Sequence, residues 1–507
     1  MSHQPRLLIL HPNDNVAIAL ADIYAGEIGN AAGPTLLQSV KQGHKVAVAA
    51  IRAGQNIFRY GQTIGQATAD IAIGEHVHVQ NLSMGEHSRD YAHASEAMRV
   101  EPTQENRTFN GYHRADGRVG TRNYIGILTS VNCSGSVAKF IAEAAEKSGF
   151  LDAFPNIDGI VPITHGTGCG MSSEDEGYET LFRTLSGYAQ HSNFGGILLI
   201  GLGCEVMQVS ALFVGRPIRA DGVLRYMTIQ QEGGTRKTIE KGLVELSGIA
   251  ERANTATRQP TPVSHLMVGM QCGGSDGYSG ITANPALGVA SDMVVHHGGT
   301  TILSETSEIY GAEHLLTRRA VSVEVGEKLI DRIHWWEDYI ARNYGKMDNN
   351  PSPGNKRGGL TTILEKSLGA IAKSGSAPLS DVYLFGEKID KKGFVFMDSP
   401  GFDPCSVTGQ IASGANLIVF TTGRGSVSGY MPTPCIKIAT NSEMYARMYE
   451  DMDVNCGDII SEGVSLSDKG KHIFEMFIAV ASGEQTKSEK LGFGGVEFVP
   501  WQIGAVM

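Results

Sequence analysis

The sequence predicts an α/β fold: a small, mostly β N-terminal domain, a polar linker, and then parallel α/β domains. Three observations predict it. Short apolar runs separated by turn signals fill residues 1–84, a polar stretch without periodicity fills 85–108, and from 109 onward apolar strands alternate with glycine-rich turns and amphipathic helices. A chain of 507 residues also exceeds the size at which one hydrophobic core keeps growing, so more than one domain is expected.

Taken in order, the first domain is carried by LLILHPNDNVAIAL, HKVAVAAI, NIFRYG and EHVHVQNL, with no long 3.6-period segment after a turn at TLLQSVKQ. GEHSRDYAHASEAMRVEPTQENRT is the linker. The remainder divides into a middle domain, 109–260, and a C-terminal domain, 261–507. SGSVAKFIAEAAEKSG opens with a serine able to cap it and closes on glycine, the punctuation of a helix. Further helices are read at EGYETLFRTLSGYAQ, RKTIEKGLVELSGIAERA, SVEVGEKLIDRIHWWEDYIARNYG and KGKHIFEMFIAVASG. TTILSE, GFVFMD, ANLIVFTTG and CIKIAT are the strands between them, and this alternation implies parallel sheets with helices on both faces.

Composition excludes several classes of function. A hydrophobic fraction of 41% with 19% charged residues is that of a soluble globular protein, and no apolar window is long enough for a membrane span. MSHQPRLLILHP lacks the layout of a secretory signal, so a cytoplasmic location is expected. A net charge of -11 argues against nucleic acid as a partner. An anionic ligand would then rely on a few local arginines or lysines. Seven cysteines scattered through a long chain point to reduced thiols or metal ligands rather than a disulfide framework.

Four cysteines end apolar runs: NYIGILTSVNCSG on Cys133, GIVPITHGTGCG on Cys169, GGILLIGLGCEV on Cys204 and HLMVGMQCGGSD on Cys272. Their spacings are 36, 35 and 68 residues. A strand and its crossover helix take roughly 30 residues or more, so one unit fits each short interval and two fit the long one. GVLRYMTIQQEGG supplies the missing strand, ending on Gln230 and Glu232. Ligands of open parallel sheets bind beyond the carboxyl ends of the strands. Thiolates gathered there suit iron, as a ferrous ion or an iron–sulfur cluster, with another divalent metal as an alternative. Against this stands the common role of free cysteine as a small buried hydrophobe, the role assigned to Cys405, Cys435 and Cys456. A nicotinamide cofactor has little support: GLGCEV lacks the third glycine of the dinucleotide fingerprint, and no phosphate-binding G-x-x-x-x-G-K-[ST] occurs.

FNGYHRADGRVGTRNYIGI, LLIGLGCE, GMQCGGSDGYSGITANPALG, NPSPGNKRGG and IVFTTGRGS together resemble the altronate and galactarate dehydratase family. DNVAIAL and GHKVAV are similar to its N-terminal β-clip (SAF-like) domain. The resemblance spans essentially the whole chain. It implies a β-clip domain, a middle domain that helps form a homodimer, and a Rossmann-like C-terminal domain. It also implies removal of water from a sugar acid to give a 2-keto-3-deoxy product, with ferrous iron or a similar divalent metal. FMDSPGFDP and the overall length look closer to the altronate branch, with galactarate as the alternative.

Candidate substrate-binding residues are Arg122 in GTRN, Lys356 in NPSPGNK and Arg424 in TTGRGS, since guanidinium grips a carboxylate bidentately and lysine offers a point charge. His44 in QGHKVAV is the candidate proton carrier, supported by the GHK match to the family. Of Glu305 and Glu308 in ILSETSEIYG, Glu305 is favoured as base or hard metal ligand. His76 and His78 read as one solvated sheet face, at a spacing that would also suit a metal, His296 and His297 as lesser candidates, and Trp335 and Trp336 as core or subunit contact. Two rival readings share these features: an oxidoreductase using NAD or a redox cluster, and a sugar-binding module on an inert scaffold.

Overall fold

A computed structural model describes residues 6–30, 33–85, 89–213 and 223–504. Residues 1–5 of the first domain and 86–88 of the linker therefore lie outside the described residues. The N-terminal domain holds two small antiparallel sheets. One contains β1 (Leu7–Leu8), β2 (Val16–Ala19), β3 (Lys45–Ala47) and β6 (His76–Val77); the other contains β4 (Asn56–Arg59), β5 (Gln62–Ala67) and β7 (Leu82–Ser83). The linker lies along the C-terminal domain, with Ala94 and Glu96 amides donating to the carbonyls of Thr317 and Arg318. β8 (Thr108–His113), β9 (Val119–Gly120) and β14 (Arg258–Pro262) form an antiparallel ribbon that brackets the middle domain.

The middle domain is a parallel sheet of β10 (Tyr124–Thr129), β11 (Gly159–Ile163), β12 (Phe194–Gly201) and β13 (Leu224–Thr228), in the order β11-β10-β12-β13. Its helices are α1 (Gly135–Lys147), α2 (Glu176–Ala189) and α3 (Thr235–Ala253). The C-terminal domain is a seven-stranded parallel sheet of β15 (Met267–Cys272), β16 (Thr300–Ser304), β17 (Leu379–Tyr383), β18 (Gly393–Met397), β19 (Leu417–Thr422), β20 (Cys435–Ala439) and β21 (Val454–Asn455). Its order is β17-β18-β16-β15-β19-β20-β21. β12 and β19 are buried along their full length, as strands covered on both faces must be. GVLRYM does supply β13 beside β12, ahead of Gln230.

Among the described helices of eight or more residues, three absent from the sequence reading belong to the C-terminal domain: α4 (Ala283–His296), Ile363–Ile371 and Asp403–Ser413. Each is buried on most sides, so none displays the apolar stripe of a half-exposed helix. The middle and C-terminal domains share an apolar core in which Trp336 and Trp501 stack at 5.3 Å. Trp335 joins the same aromatic cluster through Trp501 and Tyr339.

Charge fixes the first domain to the third. Lys45 on β3 and Arg59 on β4 both reach Glu365, at 2.9 and 2.5 Å, and all three side chains are buried. Lys45 also donates to the Gly359 carbonyl and Arg59 to that of Gly277. Burial alone would raise the pKa of Glu365, but Lys45 and Arg59 outweigh it and hold the carboxylate at about 2.

Removing the acid leaves two buried cations unpaired. Glu365→Gln is expected to cost about 3–5 kcal/mol at neutral pH. Because the folded value is depressed, the contribution is complete above the unfolded pKa of about 4.3 and is lost as pH falls toward about 2. Denaturant melts over a pH series should show the gap between wild type and variant narrowing across that window.

Candidate functional site

In an open parallel sheet the crevice forms where neighbouring strands send their connections in opposite directions. In the seven-stranded sheet β16 lies on one side of β15 and β19 on the other, which puts the switch at the end of β15, on Cys272. The two glycines after it serve that crowding. A Cβ on Gly273 would sit 2.2 Å from Asp403 Oδ2, and Gly274 adopts φ +61°, where its neighbours are Thr422 and Arg424.

Cys272 Sγ is 2.7 Å from Lys373 Nζ and 3.7 Å from Glu308 Oε2. Lys366 donates to Glu308 Oε1 at 2.5 Å and to Asn350 Oδ1 at 3.0 Å. Glu305 completes the group from the end of β16. Ligand atoms of Cys272, Glu305 and Glu308 all lie within 4.8 Å of one another, and all three residues are buried. Glu305 has φ +71°, a left-handed backbone that is strained for a residue with a side chain, and its Oε1 has no hydrogen-bond partner. Burial, then Glu308 and Cys272, push its pKa well above the usual carboxylate range. Glu308 is also desolvated, but Lys366 brings it below its ordinary value. Asp403 is raised to about 6 by loss of water and by Glu308.

These groups fit a divalent cation. With the thiol and the three carboxyl groups ionised, four negative charges face two lysines, and the deficit is the charge of one divalent ion. The orphaned Glu305 oxygen is the atom such an ion would satisfy. A sulfur with two carboxylates is a mixed donor set, suited to ferrous iron more than to calcium or magnesium.

The first domain covers this cluster. His44 on the approach to β3 and His76 and His78 around β6 form a trio with ring centroids 5.1–5.4 Å apart. His44 Nδ1 is 3.0 Å from His76 Nε2, His44 Nε2 is 3.2 Å from the Arg357 carbonyl, and His78 Nε2 is 2.8 Å from that of Lys356. His76 and His78 do share a face, but it is packed on the third domain rather than solvated. Burial lowers His44 to about 4 and His76 to about 3, leaving both neutral at pH 7. Lys356 is half-buried and Arg424 exposed, and the Arg424 chain runs past Gly358, two residues from Lys356. A cavity of about 10 Å³ beside Lys366, Asp276 and Tyr60 holds at most one water.

Two sequence expectations need correction. Arg122 does not face the site: its guanidinium is buried, pairs with Glu489 at 2.7 and 2.9 Å, and donates to the carbonyls of Val480 and Glu484. It joins the middle domain to the last helices of the third. The four strand-end cysteines also do not converge, because they belong to two sheets. Cys133, Cys169 and Cys204 follow β10, β11 and β12 and are exposed, whereas Cys272 is buried at the end of β15. Cys405, Cys435 and Cys456 are buried in apolar cores. His296 and His297 cap the end of α4, bonded to the carbonyls of Glu101 and Met293. Lys366, Lys373 and Asp403 were absent from the sequence reading. LEKSLGAIAKSG, which carries both lysines, and FDPCS look like ordinary helix text, with nothing in them to mark a buried charge.

Three family models cover the chain: the altronate/galactarate dehydratase SAF domain at residues 5–85, the second domain of D-galactarate dehydratase/altronate hydrolase at 111–254, and the C-terminal D-galactarate/altronate dehydratase domain at 263–506. The altronate dehydratase of Bacillus subtilis is 35% identical over 488 residues, covering 96% of each chain. The galactarate dehydratase (L-threo-forming) of Escherichia coli is 38% identical over 499 residues, 95% of this chain and 94% of its own. The altronate dehydratase of Escherichia coli is 36% identical over 492 residues, 96% and 97%. Among the described residues, no helix is long and apolar enough to cross a membrane.

Arg122→Gln is expected to destabilise by about 3–5 kcal/mol, since it strands the buried Glu489. Activity per folded molecule should be unchanged, read as a lowered melting temperature with an unaltered KM.

Proposed function

The chain belongs to the altronate/galactarate dehydratase family of hydro-lyases, and from that premise we propose that it dehydrates altronate to a 2-keto-3-deoxy sugar acid. The reaction is assigned to the crevice between the first domain and the carboxyl ends of β15 and β16. The observation that carries this reading is the buried group of Cys272, Glu305 and Glu308 against Lys366 and Lys373, with a strained glutamate whose oxygen lacks a partner. Strained backbone and desolvated charged groups of this kind cluster at active sites.

Dehydration next to a carboxylate has two demands. The proton at C2 is weakly acidic, so cations must take up the charge that develops on the carboxylate oxygens. Lys356 and Arg424 stand at the mouth for that purpose, and guanidinium binds the carboxylate through two parallel hydrogen bonds. His44, neutral at pH 7, accepts the C2 proton when the first domain closes. The hydroxide at C3 needs a Lewis acid, which ferrous iron held by Cys272, Glu305 and Glu308 supplies when bound. Lys366 holds Glu308 below its ordinary pKa for that role, and Lys373 donates to the Cys272 sulfur. The resulting enol becomes the ketone unaided.

Lys356 and Arg424 lie close together, the Arg424 chain running against Gly358. That arrangement complements one carboxylate and favours altronate over galactarate, which carries one at each end. A homodimer formed through the middle domain, as the sequence resemblance implies, is part of the same proposal.

An anaerobic assay with added ferrous iron should give keto acid from altronate at a rate well above that from galactarate. His44→Asn should lower kcat by about 10²–10⁴-fold, and Arg424→Gln should raise KM more than it lowers kcat. Turnover of galactarate alone, or a full rate from His44→Asn, would overturn the substrate or the base.

A further inference from the structure

The middle domain has its own switch point. Its order, β11-β10-β12-β13, sends the chain to opposite sides of β10, so a crevice opens at the ends of β10 and β12. Cys133, Cys169 and Cys204 are carried on the three loops around it. Cysteine is among the most buried residue types, and four of the seven here follow that rule. The three that do not are these, exposed together at one edge of one sheet.

The loops are tied to each other. The Asn132 amide donates to the Thr167 carbonyl, Met207 to Gly168, and Ser130 Oγ to Glu205 Oε1. Each bond joins a segment beside one cysteine to a segment beside another. Gly168 and Gly203, directly before Cys169 and Cys204, adopt φ +101° and +124°, and a Cβ on Gly168 would lie 2.2 Å from the Ser130 carbonyl oxygen. The turns that aim these two thiols therefore require glycine. β13, the strand without a cysteine, contributes Gln230, whose Nε2 donates to Cys204 Sγ at 3.4 Å. Hydrogen bonds of that kind stabilise a ligating thiolate.

We propose that Cys133, Cys169 and Cys204 ligate an iron–sulfur cluster, a second metal centre separate from Cys272. Three thiolates leave one iron without a protein ligand. A cavity of about 430 Å³ opens beside the loops, lined by Asn132, Ser136, Lys139, Thr164, His165 and Phe498 among others, within the size range of small-molecule sites. Each thiol gives up its proton on ligation. A cluster is favoured over a single ion because the three sulfurs do not all lie within 4.8 Å of one another, unlike the ligand atoms at Cys272. Thiolates around a cluster bind different irons and stand further apart.

The test is anaerobic reconstitution of the full chain with ferrous iron, sulfide and a thiol reductant. Iron, acid-labile sulfide and visible absorption are then measured after desalting. Wild type is expected to hold sulfide in proportion to iron and to show a broad visible band. Cys133→Ser, Cys169→Ser and Cys204→Ser should each lose most of the band and the sulfide, while Cys272→Ser keeps both. The exposed positions tolerate serine, and circular dichroism confirms that each variant is folded. Iron without sulfide in wild type overturns the proposal, as does a band that survives all three substitutions or is lost only in Cys272→Ser. The readout is independent of turnover, so failure of the dehydration reading leaves it standing, and an absent cluster leaves that reading standing.

Discussion

Charge that leaves water must meet opposite charge, and the meeting of the first and third domains is built on that constraint. Glu365 and Lys366 are neighbours on one buried helix and face two different partners. Glu365 receives Lys45 and Arg59 from the first domain, while Lys366 meets Glu308 beside Cys272. The contact that seats the lid and the contact that charges the site are thus one residue apart. Any displacement of the first domain would leave Glu365 without Lys45 and Arg59, one residue away from the lysine that pairs with Glu308. An isolated carboxylate left in that position would be far costlier than the paired one.

Parallel sheets impose the second constraint. Every strand of a parallel sheet ends at the same edge, so residues distant in sequence collect there whenever they follow a strand. The chain uses this twice. One edge collects sulfur, carboxylate and ammonium in a buried group under a β domain; the other collects three thiols beside a cavity. Soft and mixed donor sets are thereby kept on separate sheets, with Arg122 and Glu489 holding the middle domain to the end of the third.

What the sequence disclosed follows from the same physics. Apolar runs that end on glycine and cysteine mark strand ends whatever the tertiary structure, and the cysteine spacing counted the βα units of the middle domain correctly, including the strand that ends on Gln230. The sequence could not say that two sheets were being counted. Cys272 follows its strand just as Cys204 does, and only strand order separates them. Helices buried on all sides, such as α4, lose the stripe by which a helix is recognised. Arg122 misled because a glycine-rich turn beside an arginine reads the same whether the guanidinium faces a ligand or, as here, a distant glutamate. Lys366 and Lys373 escaped for the opposite reason: lysine in helical text is read as solvated, and what makes these two exceptional is their pairing with Glu308 and Cys272, which arrive from the ends of β16 and β15.

The closed arrangement around Cys272 also bears on the order of events. The cavity of about 10 Å³ beside Lys366 cannot hold a sugar acid, so the proposed reaction has its substrate meet the exposed Arg424 and half-buried Lys356 first. The first domain would then reseat over the bound molecule, returning the His44, His76 and His78 trio to the Lys356–Arg357 backbone that now flanks the ligand. Exclusion of water by that closure strengthens every charge interaction beneath it. Lys45 and Arg59 hold Glu365 in the closed arrangement, so the proposed opening has to break a buried ion pair.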